Sequence, residues 1–253
     1  MYLLPRPQEM LLQDNVFYVD YTAEICIDPE ASPEWLHYAS LLQKEIEQDT
    51  GFHLNINRNL PVFQTPSILL KSTSGHSQQE YTLRIRESGI LLTASSNSGM
   101  LYAIQTLRQI IRQEGACLPG LDIHDFPVIS NRGLYYDVTR SRIPTLSYLK
   151  KMADTLSFYK INQLHLYIEH TYMFRNLSEV WRDDTPLTSS DILELDRYCA
   201  DLGIELVPSI ASFGHLYKIL RTKSFRHLCE REDLCEEPFG FIDRKEHSHH
   251  GKP

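Results

Sequence analysis

From Gly133 to Ile210 the chain alternates between short apolar runs and segments of helical period, and that order limits the possible folds more than any other feature. Gly133–Val138 reads as a strand, with a carboxylate and a guanidinium placed just as it ends. A helix follows, capped by Thr145 or Ser147, with Leu146, Leu149, Ala153 and Leu156 at helical spacing. Gln163–Glu169 reads as a second strand, about Ser189 to Leu202 as a second helix closed by Gly203, and Glu205–Ile210 as a third strand leading into Ala211–His215. Strand, helix, strand, helix, strand implies a parallel sheet with right-handed crossovers. In such sheets chemistry gathers at the carboxyl ends of the strands. Asp137, Arg140, His165, Glu169 and His215 fall at or near those ends.

The chain has 253 residues, room for one large domain or two ordinary ones. Its 42% hydrophobic and 23% charged content is that of a globular protein, and a formal charge of −8 argues against a nucleic-acid partner. No stretch reaches the roughly 20 apolar residues of a membrane span, so no membrane partner is expected. The start shows no basic region followed by an apolar core, and the five cysteines form no Cys-x-x-Cys pair. Reduced thiols and a cytoplasmic location are the expectation.

Residues 1–128 follow a different rhythm. Val16–Asp20, Tyr21–Asp28 and Ser67–Lys71 look like strands, and Tyr81–Arg86 with Gly89–Ala94 like a hairpin. Ser32-Pro33 is expected to start a helix that buries Trp35, Tyr38 or Ala39, Leu42 and Ile46 and ends at Gly51. Asn97 or Ser98 is expected to cap another, with Leu101, Ile104, Leu107 and Ile111 inside and Gly115 past its end. This predicts a compact α+β layer with a packing role. The boundary is placed at Ile123–Pro127. The long connection from Thr171 to Thr188 carries Trp181, which suits stacking on a sugar or, alternatively, anchoring the loop. Residues 245–253 are polar and without periodicity, so a disordered tail is expected rather than a metal site at His247, His249 and His250.

Three separated motifs, in order, resemble family 20 glycoside hydrolases, the β-N-acetylhexosaminidases. They are Arg132-Gly133 with Asp137 and Arg140, then Tyr159-Lys-Ile-Asn-Gln-Leu-His165, then Gly203–Pro208 followed by Phe213-Gly-His215. The resemblance implies an α/β chain: an α+β N-terminal domain (1–128), then an incomplete (β/α)8 TIM barrel of about three βα units (129–244). Departures from the family pattern are Tyr167 for its second histidine, Glu169 near its usual acid, Ser209 for a glutamate and Phe213 for a proline. The family's catalytic Asp-Glu pair ends a fourth strand, and no Asp-Glu dipeptide occurs in residues 1–253. No catalytic residue is therefore expected in this stretch, which looks like the front half of an enzyme and is expected to be inactive alone.

By that resemblance the substrate is an N-acetylhexosamine-containing glycan, hydrolysed with help from its own acetamide and without cofactor or metal. Arg140 offers a planar fork of donors for vicinal hydroxyls and Asp137 an acceptor; His165, Glu169 and Trp181 are further candidate contacts, with plain solvation the alternative for Glu169, and His215 is expected to orient other acids. The structural alternatives are an Asp137–Arg140 pair closing the barrel floor and a core histidine at 165. A non-catalytic carbohydrate-binding or scaffold module, and a related barrel glycosidase with another sugar, are the other functional readings. Three strands leave an open edge, so self-association is expected; Leu134, Tyr136, Leu164, Leu166 and Leu206 are the expected barrel-facing set, with Val207 either in it or outside it.

Overall fold

The computed structural model describes residues 1–60, 66–140, 142–182, 184–212 and 214–229. The expected tail at 245–253 with its histidines, the end of the barrel segment to 244, Phe213 and Asp183 lie outside the described residues. Two compact units emerge: Met1–Arg132 with Thr155–Asn162 and Asp201–Gly203, and the remainder from Gly133 on. The first unit thus runs through Arg132. Arg132 belongs with the first unit because its guanidinium bonds Lys160 O, Gln79 Oε1 and the Tyr102 hydroxyl, all at 2.9 Å.

The first unit holds strands β1 (Glu9–Tyr18), β2 (Glu24–Ile27), β3 (Asn55–Asn57), β4 (Ser67–Ser72), β5 (Tyr81–Arg86), β6 (Gly89–Ala94) and β7 (Cys117–Asp125), with helices α1 (Trp35–Thr50) and α2 (Asn97–Glu114). They form one mixed seven-stranded sheet in the order β1-β7-β5-β6-β4-β2-β3. Alternating burial along β5 and β6 sends Leu83, Ile85, Ile90 and Leu92 to one face, where they join Leu42 and Ile46 of α1 and Leu101, Ile104 and Leu107 of α2 in one core. Gly51 ends α1 at φ 79°, a left-handed turn that a side chain would oppose.

Several local expectations change. α1 begins at Trp35 rather than at Ser32-Pro33, because the Ser32 hydroxyl turns to the Glu34 carboxylate instead of capping backbone amides. Ser96, not Asn97 or Ser98, caps α2: its Oγ accepts from Gly99 N at 3.0 Å, while Asn97 Oδ1 accepts from the Trp35 indole at 3.0 Å. β1 starts at Glu9, and Tyr21 lies outside β2. β7 and β3 went unanticipated. Pro119 obscures β7, yet it pairs only with Val16 of β1, since β5 begins its pairing at Leu121.

A buried ion pair closes this unit. Lys160 Nζ lies 3.0 Å from Asp125 Oδ2 and 2.8 Å from the Tyr81 hydroxyl, which itself donates to Asp125 at 2.8 Å. Burial pulls the Lys160 pKa below its ordinary value, with the Asp125 charge opposing that shift.

The second unit contains β8 (Gly133–Asp137), β9 (Gln163–Ile168) and β10 (Glu205–Ile210), parallel and in the order β10-β9-β8. Between them run α3 (Leu146–Phe158, its last turn counted with the first unit) and, after the short α4 (Ser178–Trp181), α5 (Ser189–Asp201); α6 (Tyr217–Leu220) follows β10. This is the arrangement of three successive strands of a (β/α)8 barrel. Thr145 caps α3, its Oγ1 accepting from Tyr148 N at 3.3 Å. α3 and α5 are joined by Lys150–Glu194 at 2.6 Å and by the Tyr198 hydroxyl donating to Asp154 at 2.7 Å. The connection 171–188 is not open loop throughout, since Tyr172 and Leu187 form an isolated bridge. His170, just past β9, is buried, with Nδ1 lacking a hydrogen-bond partner among the described residues. Burial, helped by the Lys218 charge, pulls its pKa down to about 4.

Two outcomes test these packing statements. Lys160→Met should cost about 3–5 kcal/mol in urea unfolding, because it strands a buried carboxylate, and adding Asp125→Asn should recover part of that. Equal loss in single and double variants would contradict it. His170 has its folded pKa below its unfolded value of roughly 6.5, so the unfolded chain binds the extra proton between about pH 6.5 and 4 and stability falls as pH drops through that window. His170→Phe should therefore lose about 1–2 kcal/mol less than the parent between pH 7.5 and 5. An unchanged pH dependence in urea midpoints counts against a buried neutral imidazole.

Candidate functional site

Parallel register sets which side chains share a face. Gly133, Gln163 and Glu205 align at the start of the strands, then Tyr135, His165 and Val207, then Asp137, Tyr167 and Ser209. Gln163 donates to Glu205 at 2.8 Å, and the Tyr135 and Ser209 hydroxyls meet at 2.8 Å across β9. A side chain at Gly133 would press its Cβ to 3.2 Å from the His165 ring, so the glycine leaves room for that imidazole. Residues of the other parity, Leu164, Leu166 and Ile168 on β9, are sealed from solvent. The barrel-facing set expected from sequence is corrected accordingly. Leu134, Tyr136, Leu164, Leu166 and Leu206 lie on the opposite face, and Val207 alone of that set shares the cleft's parity.

At the carboxyl end of this face an open cleft of about 650 Å³ is lined by Tyr135, Asp137, Arg140, Tyr167, Ser209, Ile210, Ala211, Ser212, Gly214 and His215. Arg140 is its centre. Nη1 donates to Asp137 Oδ2, Nη2 donates to Glu169 Oε1 at 3.1 Å, and Nη2 lies 3.3 Å from His215 Nδ1. Its guanidinium carbon stands 5.2 Å from the centre of the Tyr167 ring. Partial burial works against the Arg140 charge, but the bonds to Asp137 and the Glu169 charge more than offset it and raise the pKa.

Glu169 sits behind the guanidinium with its side chain only 6% exposed. Besides Arg140, its Oε1 accepts from the Tyr167 hydroxyl at 2.8 Å and lies 3.6 Å from His215 Nδ1. Burial, then donation to Glu169, pushes the Tyr167 phenol up to about 12. Near neutral pH Tyr167 is thus a hydrogen-bond donor and not a phenolate nucleophile. His215 has φ 60°, a left-handed conformation that few non-glycine residues adopt, and its ring meets Tyr167 edge to face at 6.4 Å.

Of the six residues singled out in the sequence, Asp137, Arg140, Glu169 and His215 come together here. His165 lies one layer deeper, 3.3 Å from Gln163 Oε1 with its ring 6.1 Å from that of Tyr135. Trp181 is not among the lining residues, and its indole N–H donates to Phe174 O at 3.3 Å within its own connection. Sequence reasoning passed over Tyr135 and noted Tyr167 and Ser209 only as departures from the family pattern, though all three line the cleft. Counting back by two from Asp137 would have found Tyr135. No grouping of histidine, cysteine and carboxylate side chains suited to a metal occurs among the described residues.

Comparison with known proteins agrees with this geometry. Residues 1–126 match the model for glycosyl hydrolase family 20, domain 2, and residues 130–239 the model for the catalytic domain of the same family. A beta-hexosaminidase of Porphyromonas gingivalis is 25% identical over 243 residues, covering 84% of this chain and 30% of that protein. One of Akkermansia muciniphila is 28% identical over 217 residues, covering 77% and 39% respectively. The chain therefore spans about a third of the length of these relatives. Among solved structures, the β-N-acetylhexosaminidase of Streptomyces coelicolor superposes with a TM-score of 0.76 at 23% identity, over 86% of this chain and 47% of that one. The Streptomyces plicatus N-acetyl-β-hexosaminidase, solved with Thio-NAglucal, gives 0.76 at 22% identity, over the same shares of the two chains. The two units carry the family's domain 2 and part of its catalytic barrel, and the chain belongs to glycoside hydrolase family 20.

Proposed function

We propose that the cleft recognises a terminal N-acetylhexosamine residue and that the chain serves β-N-acetylhexosaminidase chemistry. The observation that carries this reading is the guanidinium of Arg140, held in the cleft by Asp137 and Glu169. A planar cation fixed by two carboxylates presents donors at a set angle, which suits neighbouring ring hydroxyls better than a lone ammonium would. Asp137, a third exposed, offers an acceptor beside it, and Ser209 and Ser212, which also line the cleft, add neutral hydroxyls. The Tyr135 and Tyr167 rings, with centres 5.9 Å apart, give a sugar's apolar face something to rest on.

The residues assembled here orient and bind. Among the described residues neither carboxylate at the cleft is poised to protonate a leaving oxygen, since Asp137 is held by Arg140 and the Thr139 amide and Glu169 by Arg140 and Tyr167. By family resemblance, proton donation and acetamide polarisation fall to an Asp-Glu pair outside residues 1–253. We therefore assign this stretch the recognition half of the reaction.

Charge-assisted hydrogen bonds contribute about 1.5–3 kcal/mol each, so loss of the Arg140 fork should weaken N-acetylglucosamine binding roughly 10- to 100-fold. Arg140→Lys keeps a cation opposite Glu169 but loses the fork, and should weaken binding with little change in thermal stability. NMR titration of the protein with N-acetylglucosamine reads the affinity. Unchanged affinity in both Arg140→Ala and Arg140→Lys would remove Arg140 from the recognition role.

A further inference from the structure

The two residues whose carboxylates grip Arg140 are both tied to a third, Asp137 through its carboxylate and Glu169 through its backbone amide. Thr139 follows β8 and is 8% exposed. Its backbone N–H donates to Asp137 Oδ1 at 2.8 Å. Its hydroxyl accepts from the Glu169 backbone N–H at 3.1 Å and reaches Tyr167 O at 3.3 Å, with Thr171 Oγ1 at 3.4 Å. Val138 N also donates to Tyr167 O, at 3.2 Å, so the ends of β8 and β9 are joined at this point.

Chemically, a hydroxyl has one proton to give and two lone pairs to receive with. Here the proton goes to the carbonyl of Tyr167, the penultimate residue of β9, and a lone pair takes the first amide beyond the strand. That amide belongs to Glu169, so the bond sets where the chain turns out of β9. The turn in turn decides whether the Glu169 carboxylate meets Arg140. Asp137 is held by the amide of Thr139, a bond any residue but proline would supply. The hydroxyl is the part that depends on the side chain.

We propose that Thr139 is a positioning residue for the Arg140 site: its hydroxyl fixes the Glu169 backbone and thereby the guanidinium that meets the sugar. This rests on the recognition role assigned to the cleft above. It makes no claim that Thr139 touches the sugar.

The test uses the protein with Thr139→Val, which keeps the shape and removes the hydroxyl, Thr139→Ser, which keeps the hydroxyl, and Arg140→Ala. N-acetylglucosamine affinity is read by NMR titration, together with the Arg140 side-chain Nε–H resonance. Thr139→Val should weaken binding at least fivefold and shift or broaden the Arg140 signal. Thr139→Ser should restore both to within twofold of the parent. If Thr139→Val lowers only the melting temperature and leaves affinity and the Arg140 signal as they were, Thr139 is structural and the proposal fails while the recognition role stands. If Arg140→Ala also binds normally, the cleft reading fails and takes the proposal with it. Amide exchange in the unaltered protein needs no folded variant. Strong protection of the Glu169 amide supports the bond, and exchange at the rate of an open loop overturns it.

Discussion

Everything at the cleft depends on three parallel strands in one register. Because β8, β9 and β10 begin together at Gly133, Gln163 and Glu205, their side chains of like parity fall in shared layers. The third such layer, Asp137 with Tyr167 and Ser209, is the last before the strands end. The groups placed just beyond it, Arg140, Glu169 and His215, are brought within hydrogen-bonding reach although the chain between them runs to 75 residues. A slip of one residue in any strand would turn its polar set toward the sealed face and bring leucines to the cleft.

Within that frame the charges are arranged as a chain of support. The Glu169 carboxylate is too buried to stand alone, and Arg140, partly exposed, supplies the opposite charge. Tyr167 adds a neutral donor to the same oxygen that Arg140 engages. Asp137 holds the other arm of the guanidinium. The outcome is a cation whose orientation is set from behind while its front remains in the cleft, which is what recognition of a neutral polyol requires. Tyr167 stands where the family pattern has histidine. A phenol with its pKa near 12 keeps its proton at any physiological pH, so this donor to Glu169 does not titrate with the surroundings as an imidazole would.

Much of this was legible in the residues, for reasons that differ by element. The βαβαβ order and the gathering of Asp137, Arg140, Glu169 and His215 followed from hydrophobic period and from the rule that strand ends carry function. The hairpin β5–β6 and the buried faces of α1 and α2 were equally plain, because period and turn chemistry agreed there. β7 was hidden because Pro119-Gly120 looks like a break, and only the pairing shows that Pro119 lies beyond the reach of β5. The cleft's parity was misread because leucines suggested a barrel interior. In this sheet they fill the other face, and the cleft side carries Tyr135, His165 and Val207 in one layer and Asp137, Tyr167 and Ser209 in the next. Trp181 drew attention as an aromatic beside acids, yet its indole serves its own connection. Thr139 carried no signal at all, since a hydroxyl's worth depends on which distant amide the fold delivers to it.

The central claim is that Arg140, held between Asp137 and Glu169, is the group that meets the sugar. A crystal structure of the protein with N-acetylglucosamine tests it most directly. The account predicts density for the sugar in the cleft, with two neighbouring ring hydroxyls about 3 Å from the Arg140 guanidinium nitrogens. A sugar bound elsewhere, or one in the cleft that leaves Arg140 facing only Asp137 and Glu169, would contradict it.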